Sequence, residues 1–335
     1  MSPVREITFA EATVEAMREE MRRDPTVFAM GEDIARQGGI FGQWKGLPQE
    51  FGVERVIDTP ISEAAIAGAA VGAAMTGMRP VVDMHFADFV TCAMDEIVNQ
   101  AAKARYMFGG QVKVPVVFRC PDGIINSAGG HHCQSLEAWF VHVPGLKVVV
   151  PSTPADAKGL LKAAIRDDDP VIYCEHKAFF KKSGPVPDDE DFVVPLGKAS
   201  VRRVGSDVTV LAYSIMVDRA LEAAATLARE GVDAEVVDLR SLVPLDKETV
   251  FASVAKTGRV VIAHEATARG GFGAELAALL VDEMFDYLDA PVKRVAARNV
   301  PVPFSPPLEH HVKPKTEDVV RAVLEIVPRP AAVRR

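Results

Sequence analysis

Short runs of β-branched and aliphatic residues alternate along this chain with longer stretches in which apolar positions recur every three to four residues. In the first half, the runs Thr26–Met30, Val53–Asp58, Arg79–Met84, Val114–Arg119, Leu146–Val150 and Val171–Cys174 predict strands, while Phe9–Arg23, Glu63–Gly77, Val90–Tyr106 and Pro154–Arg166 predict helices. Between them, Gly109–Gly110 and Asp122–His132 are polar and Gly-rich and read as loops. The second half repeats the rhythm, with strands expected at Val208–Tyr213, Ala234–Asp238, Val260–His264 and Val292–Val295. Helices are expected there at Val217–Glu230, Lys247–Lys256, Gly273–Phe285 and Thr316–Ile326. This is the signature of βαβ units around parallel sheets buried on both faces, so the fold class is α/β with two doubly wound domains. Lys181–Val194 is rich in Pro and Asp with little apolar periodicity, which predicts a linker. The expected domains are 1–185 and a smaller 195–330. No short fixed repeat is visible, which argues against a solenoid.

A length of 335 residues accommodates two domains of ordinary size. Hydrophobic residues at 48% and charged ones at 25% exclude disordered and collagen-like classes. The net charge of −8 disfavours attraction to nucleic-acid phosphates or anionic membranes, so neither is an expected partner. Four cysteines stand singly at 92, 120, 133 and 174, without a CxxC pair, which suits a reducing compartment. The start MSPVREITFAEA shows no charged leader followed by an apolar core, and Ala64–Met78 is too short to span a bilayer. The expected location is therefore cytoplasmic.

Three segments carry candidate chemistry. In Asp58-Thr59-Pro60-Ile61-Ser62-Glu63 a strand closes and a helix of small residues opens, and ligands of open α/β sheets gather at the carboxyl ends of strands. From spacing alone Glu63 reads first as a first-turn acid complementing the helix dipole, with a site carboxylate as the alternative. The second segment, Gly129-Gly130-His131-His132-Cys133-Gln134-Ser135, invites a zinc reading, but neighbouring side chains rarely close a tetrahedron. One of its histidines suits proton transfer beside a substrate oxygen, and a structural role stands beside that reading. The third, Arg269 to Glu275, is Gly-rich without completing GxGxxG and reads as a tight turn. GxxxxGK[ST], HExxH and GxSxG are absent, which removes the usual support for nucleotide hydrolysis, metalloprotease and serine-hydrolase chemistry. Pro301 to Glu309 reads as a rigid surface segment.

Taken in order, GED around Glu32, DTPISE ending at Glu63, FADF ending at Phe89, RYMFGG, HHCQS, PGLKVVVPSTPADAKGLL and IRDDDP resemble a known family. It is the β subunit of the thiamine-diphosphate-dependent first component of 2-oxo-acid dehydrogenase complexes, which include pyruvate, branched-chain and acetoin dehydrogenases. The resemblance runs from about Arg5 to Val327. It implies a transketolase-like pyrimidine-binding domain followed by a transketolase C-terminal-like domain. By this likeness Glu63 hydrogen-bonds a nitrogen of the cofactor's aminopyrimidine and favours the imino tautomer, which takes the thiazolium proton. Phe89 and Ile61 flank that ring, and Glu32 lies in the polar channel between paired cofactors. His132 stands where the family has the histidine of its HSQ signature; here His131 precedes it and Cys133 replaces serine, so both imidazoles are candidates. A structural potassium ion is implied at Val116, Ala164, Asp167 and Asp169, although three consecutive aspartates equally suit a solvated turn.

No GDG motif for a magnesium-bound diphosphate occurs, so the chain carries half of a cofactor site. The resemblance therefore implies a separate α subunit that holds Mg2+, a heterotetramer of two α and two β chains, and docking to a lipoyl-bearing acyltransferase core. The expected reaction is oxidative decarboxylation of a 2-oxo acid, pyruvate first, with acyl transfer to lipoamide. Acetoin is the close alternative. A split transketolase or deoxyxylulose-phosphate-synthase half, and a noncatalytic docking scaffold, are the competing readings.

Overall fold

The computed structural model describes residues 3–327. Strands of the first half are β1 (Val4–Thr8), β2 (Val27–Gly31), β3 (Val56–Asp58), β4 (Arg79–Asp83), β5 (Val117–Asp122), β6 (Lys147–Val149), β7 (Val171–His176) and β8 (Ser183–Pro187). They are followed by β9 (Ser200–Arg203), β10 (Val208–Ala212), β11 (Ala234–Asp238), β12 (Ser241–Val243), β13 (Val260–Thr267) and β14 (Lys293–Ala297). The contacts divide the chain into two units. One holds the chain through Ile125, His131–Leu196 and Ser241–Pro244; the other holds Asn126–Gly130, Gly197–Arg240 and the chain from Leu245 onward.

In the first unit a seven-stranded sheet has the order β12-β6-β7-β5-β4-β2-β3, parallel except where β12 runs antiparallel to β6. Its helices are α1 (Phe9–Arg23), α2 (Leu47–Phe51), α3 (Glu63–Met75), α4 (Ala102–Met107), α5 (Glu137–Val141) and α6 (Pro154–Arg166). The start of α1 is dictated locally: the Glu11 N–H donates to the Thr8 hydroxyl at 3.2 Å and the Glu11 carboxylate accepts from the Thr8 N–H at 2.8 Å, a reciprocal cap. Met17 and Met21 of α1 then bury with Leu160 and Leu161 of α6 against Val27, Val81, Val117 and Val171 of the strands.

Two expectations change in this unit. The single helix expected over Val90–Tyr106 divides into a 3₁₀ segment (Ala87–Ala93), a π segment (Asp95–Ala101) and α4. The Asp95 carboxylate accepts from Asn99 at 2.6 Å and from Gln100 at 3.3 Å, and the second spacing is what a widened π turn brings into reach. The expected linker contains β8, which pairs antiparallel with β1. Both strands are short, and Pro185 and Pro187 are tolerated because a two-stranded ribbon leaves outward N–H positions unused.

The second unit is a five-stranded sheet in the order β14-β13-β10-β11-β9, parallel except for β9. Its helices are α7 (Ile215–Arg229), α8 (Lys247–Thr257), α9 (Phe272–Met284), α10 (Pro306–Val312) and α11 (Thr316–Leu324). Met216, Ala220 and Leu227 of α7 and Val319 and Val323 of α11 bury against Val208, Val210, Val236 and Val261. The Pro-rich segment turns helical at Pro306, because proline lacks only an N–H that a first turn leaves unbonded anyway. Among the described residues no helix is long and apolar enough to cross a membrane.

Candidate active site

Three adjacent parallel strands, β3, β2 and β4, end at one edge of the first sheet. β2 stops at Gly31, where a Cβ would lie 2.9 Å from the Cβ of Asp83, so glycine permits the close strand approach that places Glu32 next. β3 stops at Asp58, whose carboxylate accepts from the Ala35 N–H at 2.6 Å and the Arg36 N–H at 3.1 Å. Together with the Thr59 N–H donating to the Gly31 carbonyl at 2.9 Å, this fixes the loop that carries Glu32 to the turn leading to α3. Ser62 makes no side-chain cap, and Glu63 is the acidic residue of the first turn of α3. β4 ends at Asp83 and continues through His85 and Phe86 into the 3₁₀ segment bearing Phe89.

Asp83 is buried and accepts from the indole N–H of Trp44, from Gln43 at 3.1 Å and from His85 Nδ1 at 3.0 Å. Burial by itself would raise its pKa, but the His85 hydrogen bond and charge, with Arg119 and Trp44, hold the carboxyl below its usual range. Burial would likewise lower His85; the Asp83 contact overrides it, with help from Glu32 and Asp33, and holds the imidazole above its ordinary value. Glu32 is raised, first by burial, with Glu63, Asp83 and Asp33 adding to the shift and His85 opposing it. Glu32, Glu63 and the Asp83–His85 pair thus share one electrostatic environment. Beneath them Arg119 forms a two-pronged bond to Glu175 at 2.8 and 2.7 Å, both fully buried, and its guanidinium lies 4.6 Å from the Trp44 ring.

An aromatic wall continues from this point. His132 meets Phe86 edge-on at 5.4 Å and Phe89 at 5.3 Å, and its carbonyl accepts from the Lys177 ammonium, which sits 4.8 Å from the Phe86 ring. The Asp88 carboxylate accepts from the Gln134 backbone at 3.2 Å and its side chain at 2.9 Å, anchoring the loop after His132. The Cys133 thiol is buried and donates to the Ile125 carbonyl at 3.5 Å. Glu32, Phe89 and His132 are therefore linked through His85 and Phe86, and Glu63 acts on this group through its charge on Glu32. His131 is exposed, and Ile61 is 80% exposed beside Glu63 in sequence.

Val116, Ala164, Asp167 and Asp169 form a separate corner. The buried Val116 carbonyl accepts from Val171 at 2.9 Å and the Ala164 carbonyl from Asp167 at 3.3 Å. The Ile165 and Asp167 carbonyls converge on Arg79 at 3.0 and 2.8 Å. The Asp167 carboxylate binds Lys147 at 2.7 Å and Asp169 binds Arg105 at 2.5 Å. These carboxylates face basic side chains, so the oxygens suited to a hard monovalent cation here are the carbonyls. Among the described residues no group of three or more His, Cys, Asp or Glu side chains could hold a metal ion.

The residues not anticipated are Trp44, Asp83, His85, Phe86 and Lys177. Asp83 and His85 were legible in part, since residues two apart at a strand end share a side of the chain. Trp44 and Lys177 come from loops distant in sequence, and no local pattern marks them.

Residues 5–181 match the transketolase pyrimidine-binding domain and 197–319 the transketolase C-terminal domain. The chain is 49% identical over 321 residues, 95% of its length and 85% of the relative's, to the mitochondrial pyruvate dehydrogenase E1 component subunit beta-2 of Oryza sativa subsp. japonica. It is 50% identical over 290 residues, 87% of its length and 84% of the relative's, to the acetoin:2,6-dichlorophenolindophenol oxidoreductase subunit beta of Bacillus subtilis (strain 168). It is 46% identical over 322 residues, 96% and 98% of the two chains, to the 2-oxoisovalerate dehydrogenase subunit beta of the same organism. A solved split-gene transketolase, an inactive beta4 tetramer, superposes with a TM-score of 0.78 at 28% identity, covering 96% of this chain and 98% of the other.

Proposed function

We propose, because this chain belongs to the transketolase-like family of β subunits of 2-oxo-acid dehydrogenase E1 components, that it serves oxidative decarboxylation of pyruvate with acyl transfer to lipoamide. The support for the reading is that Glu32 feels the charges of Glu63 and His85 at the sheet edge, while His132 packs edge-on against Phe86 and Phe89 beside it. A carboxylate beside an aromatic wall fits a flat nitrogen heterocycle. Thiamine diphosphate, when bound, supplies the carbanion chemistry that cleaves the bond next to the carbonyl. This chain's residues do the positioning. Glu63 accepts a hydrogen bond from the pyrimidine, and Phe89 and Ile61 pack against its ring. Glu32, with its raised pKa, holds or passes a proton. His132, set by Phe86, Phe89 and Lys177, orients the substrate oxygen or the lipoyl group, and the exposed His131 faces incoming lipoyl.

The diphosphate and Mg2+ fall to an α subunit, and the working particle has two α and two β chains. Consecutive exposed apolar residues, Tyr106, Met107 and Phe108, support such an interface, as does the small-residue helix α3. The acyltransferase core docks on the second domain, and the division 1–185 and 195–330 marks the functional halves. The carbonyls of Val116 and Ala164 suit potassium, with Asp167 and Asp169 nearby but paired with Lys147 and Arg105. Four free cysteines support a reducing, cytoplasmic setting. Acetoin is the second reading, favoured by the 50% identity to an acetoin-enzyme β subunit.

The test is calorimetric titration of thiamine diphosphate with Mg2+ into this chain alone and into its complex with the α subunit. Binding to the complex only is expected, with pyruvate turned over faster than acetoin. Glu63→Gln should lower turnover at least about a hundredfold. A complex that keeps full turnover after that change would overturn the reading in favour of a scaffold.

A further inference from the structure

The second unit contains a cleft of about 480 Å³ whose walls are the edge strand β14, the turn from His311 to Lys315 and α11. Six of its side chains are Lys293, Arg294, Arg298, Lys313, Lys315 and Arg321; its acids are Asp318 and Glu325. That surplus of four positive charges is gathered in a chain whose net charge is −8.

The acids are already committed. Glu325 pairs with Lys293 at 2.7 Å, and Asp318 pairs with Arg321 at 2.5 Å. Arg298 and Arg294 are held by neutral partners that orient them without cancelling charge. Arg298 Nε donates to the His311 carbonyl at 3.1 Å, and Arg294 Nη1 donates to the Ala268 carbonyl at 3.0 Å. Lys313 is only 3.5 Å from a Glu309 oxygen, and that carboxylate also accepts from the Ser127 N–H at 2.6 Å. A charge surplus confined to a concave wall raises local anion concentration. Planar guanidiniums held on neutral carbonyls suit phosphate oxygens better than a scatter of mobile lysines does. A cavity of this size accommodates a nucleotide-sized molecule.

We infer that this cleft binds a small polyanion carrying two or more phosphate groups, with Arg294, Arg298 and Lys315 as its phosphate contacts. The site is built wholly from the second unit and does not depend on the function proposed above.

The full chain is titrated by calorimetry with inorganic tripolyphosphate and with ATP, at about 50 mM and about 200 mM salt. Dissociation constants of about 1–100 μM are expected at the lower salt, weakening at least roughly tenfold at the higher. The double change Arg298→Glu with Lys315→Glu should weaken binding a further tenfold or more, roughly, while Arg229→Glu, the same charge change on α7, leaves it unaltered. Equal affinity for both probes would show that phosphates suffice, and tighter binding of ATP would show that the cleft also holds the nucleoside. Absence of binding at about 1 mM, an unaffected double variant that retains its fold by circular dichroism, or binding of poly-glutamate in place of tripolyphosphate would overturn the inference.

Discussion

His85 and His264 are both buried, one just past the carboxyl end of a strand in the first unit and the other within a strand of the second, and they are driven in opposite directions. His264 lies in β13, its ring parallel to Tyr213 at 6.0 Å and walled by Gly271 and Gly273, where a Cβ would approach it to 2.5 and 2.6 Å. Burial, reinforced by Arg294, pushes its pKa down to about 4, and the Ala266 backbone only partly opposes this. Burial pushes His85 the same way, yet the Asp83 carboxylate at 3.0 Å reverses the outcome. One oxygen within hydrogen-bond distance thus separates an imidazole held above its ordinary pKa from one held below it. In the first unit the imidazole, raised by Asp83, shares its electrostatic environment with Glu32 and Asp33; in the second the neutral ring fills space.

The largest break in this contrast is Asp83→Asn. It removes the partner of a buried cation and should cost about 3–5 kcal/mol of unfolding free energy, with the His85 pKa falling below its ordinary value in an NMR titration. An imidazole that stays raised would show that Asp83 is not the cause. In the native pair, His85 stabilises the fold below its unfolded pKa of 6.5 and loses that contribution as pH rises through its higher folded value. Asp83 stabilises above 3.8 and loses its contribution as pH falls through its lower folded value, so the pair contributes most between these two pH values.

Next in size is the acid sensitivity of the second unit. A histidine of pKa about 4 takes up its proton only on unfolding, so stability should fall by roughly 3 kcal/mol as pH drops from 6.5 towards 4. His264→Gln should flatten that part of the stability profile, whatever it does to stability at neutral pH; an unchanged slope would assign it to carboxylates instead. A smaller effect is expected for His85→Gln, which keeps a donor for Asp83 but removes the charge, at about 1–2 kcal/mol. Because His85 opposes the upward shift of Glu32, the acidic limb of the pH–rate profile of the assembled enzyme should move to higher pH. The smallest is Arg294→Met. It should raise the His264 pKa while changing stability by roughly 0.5 kcal/mol or less, and a pKa left in place would remove Arg294 from the account.

Much of the architecture was legible because the parallel strands are apolar runs and their helices carry local caps. Phe9–Arg23, Pro154–Arg166 and Ala234–Asp238 fall where the pattern puts them. The strands that escaped, β1, β8, β9 and β12, run antiparallel to their neighbours and are three to five residues long, too short for periodicity to register. Val90–Tyr106 escaped because a helical pattern does not distinguish α from π turns. In the site, Glu63 and Phe89 stand in motifs that a reader meets locally. The Asp83 partnership with Trp44 depends on a contact between residues 39 apart, and nothing near either residue announces it.

β12 has a consequence for how the protein is made. The sheet edge at β6 is covered by a strand that leaves the ribosome only about 90 residues later, a delay of roughly 5–18 s at ordinary elongation rates. During that time the nascent first sheet presents open backbone donors and acceptors to any passing strand. A truncation after Leu196 would make the delay permanent. Expression of the first domain by itself should therefore yield aggregates that the full chain avoids.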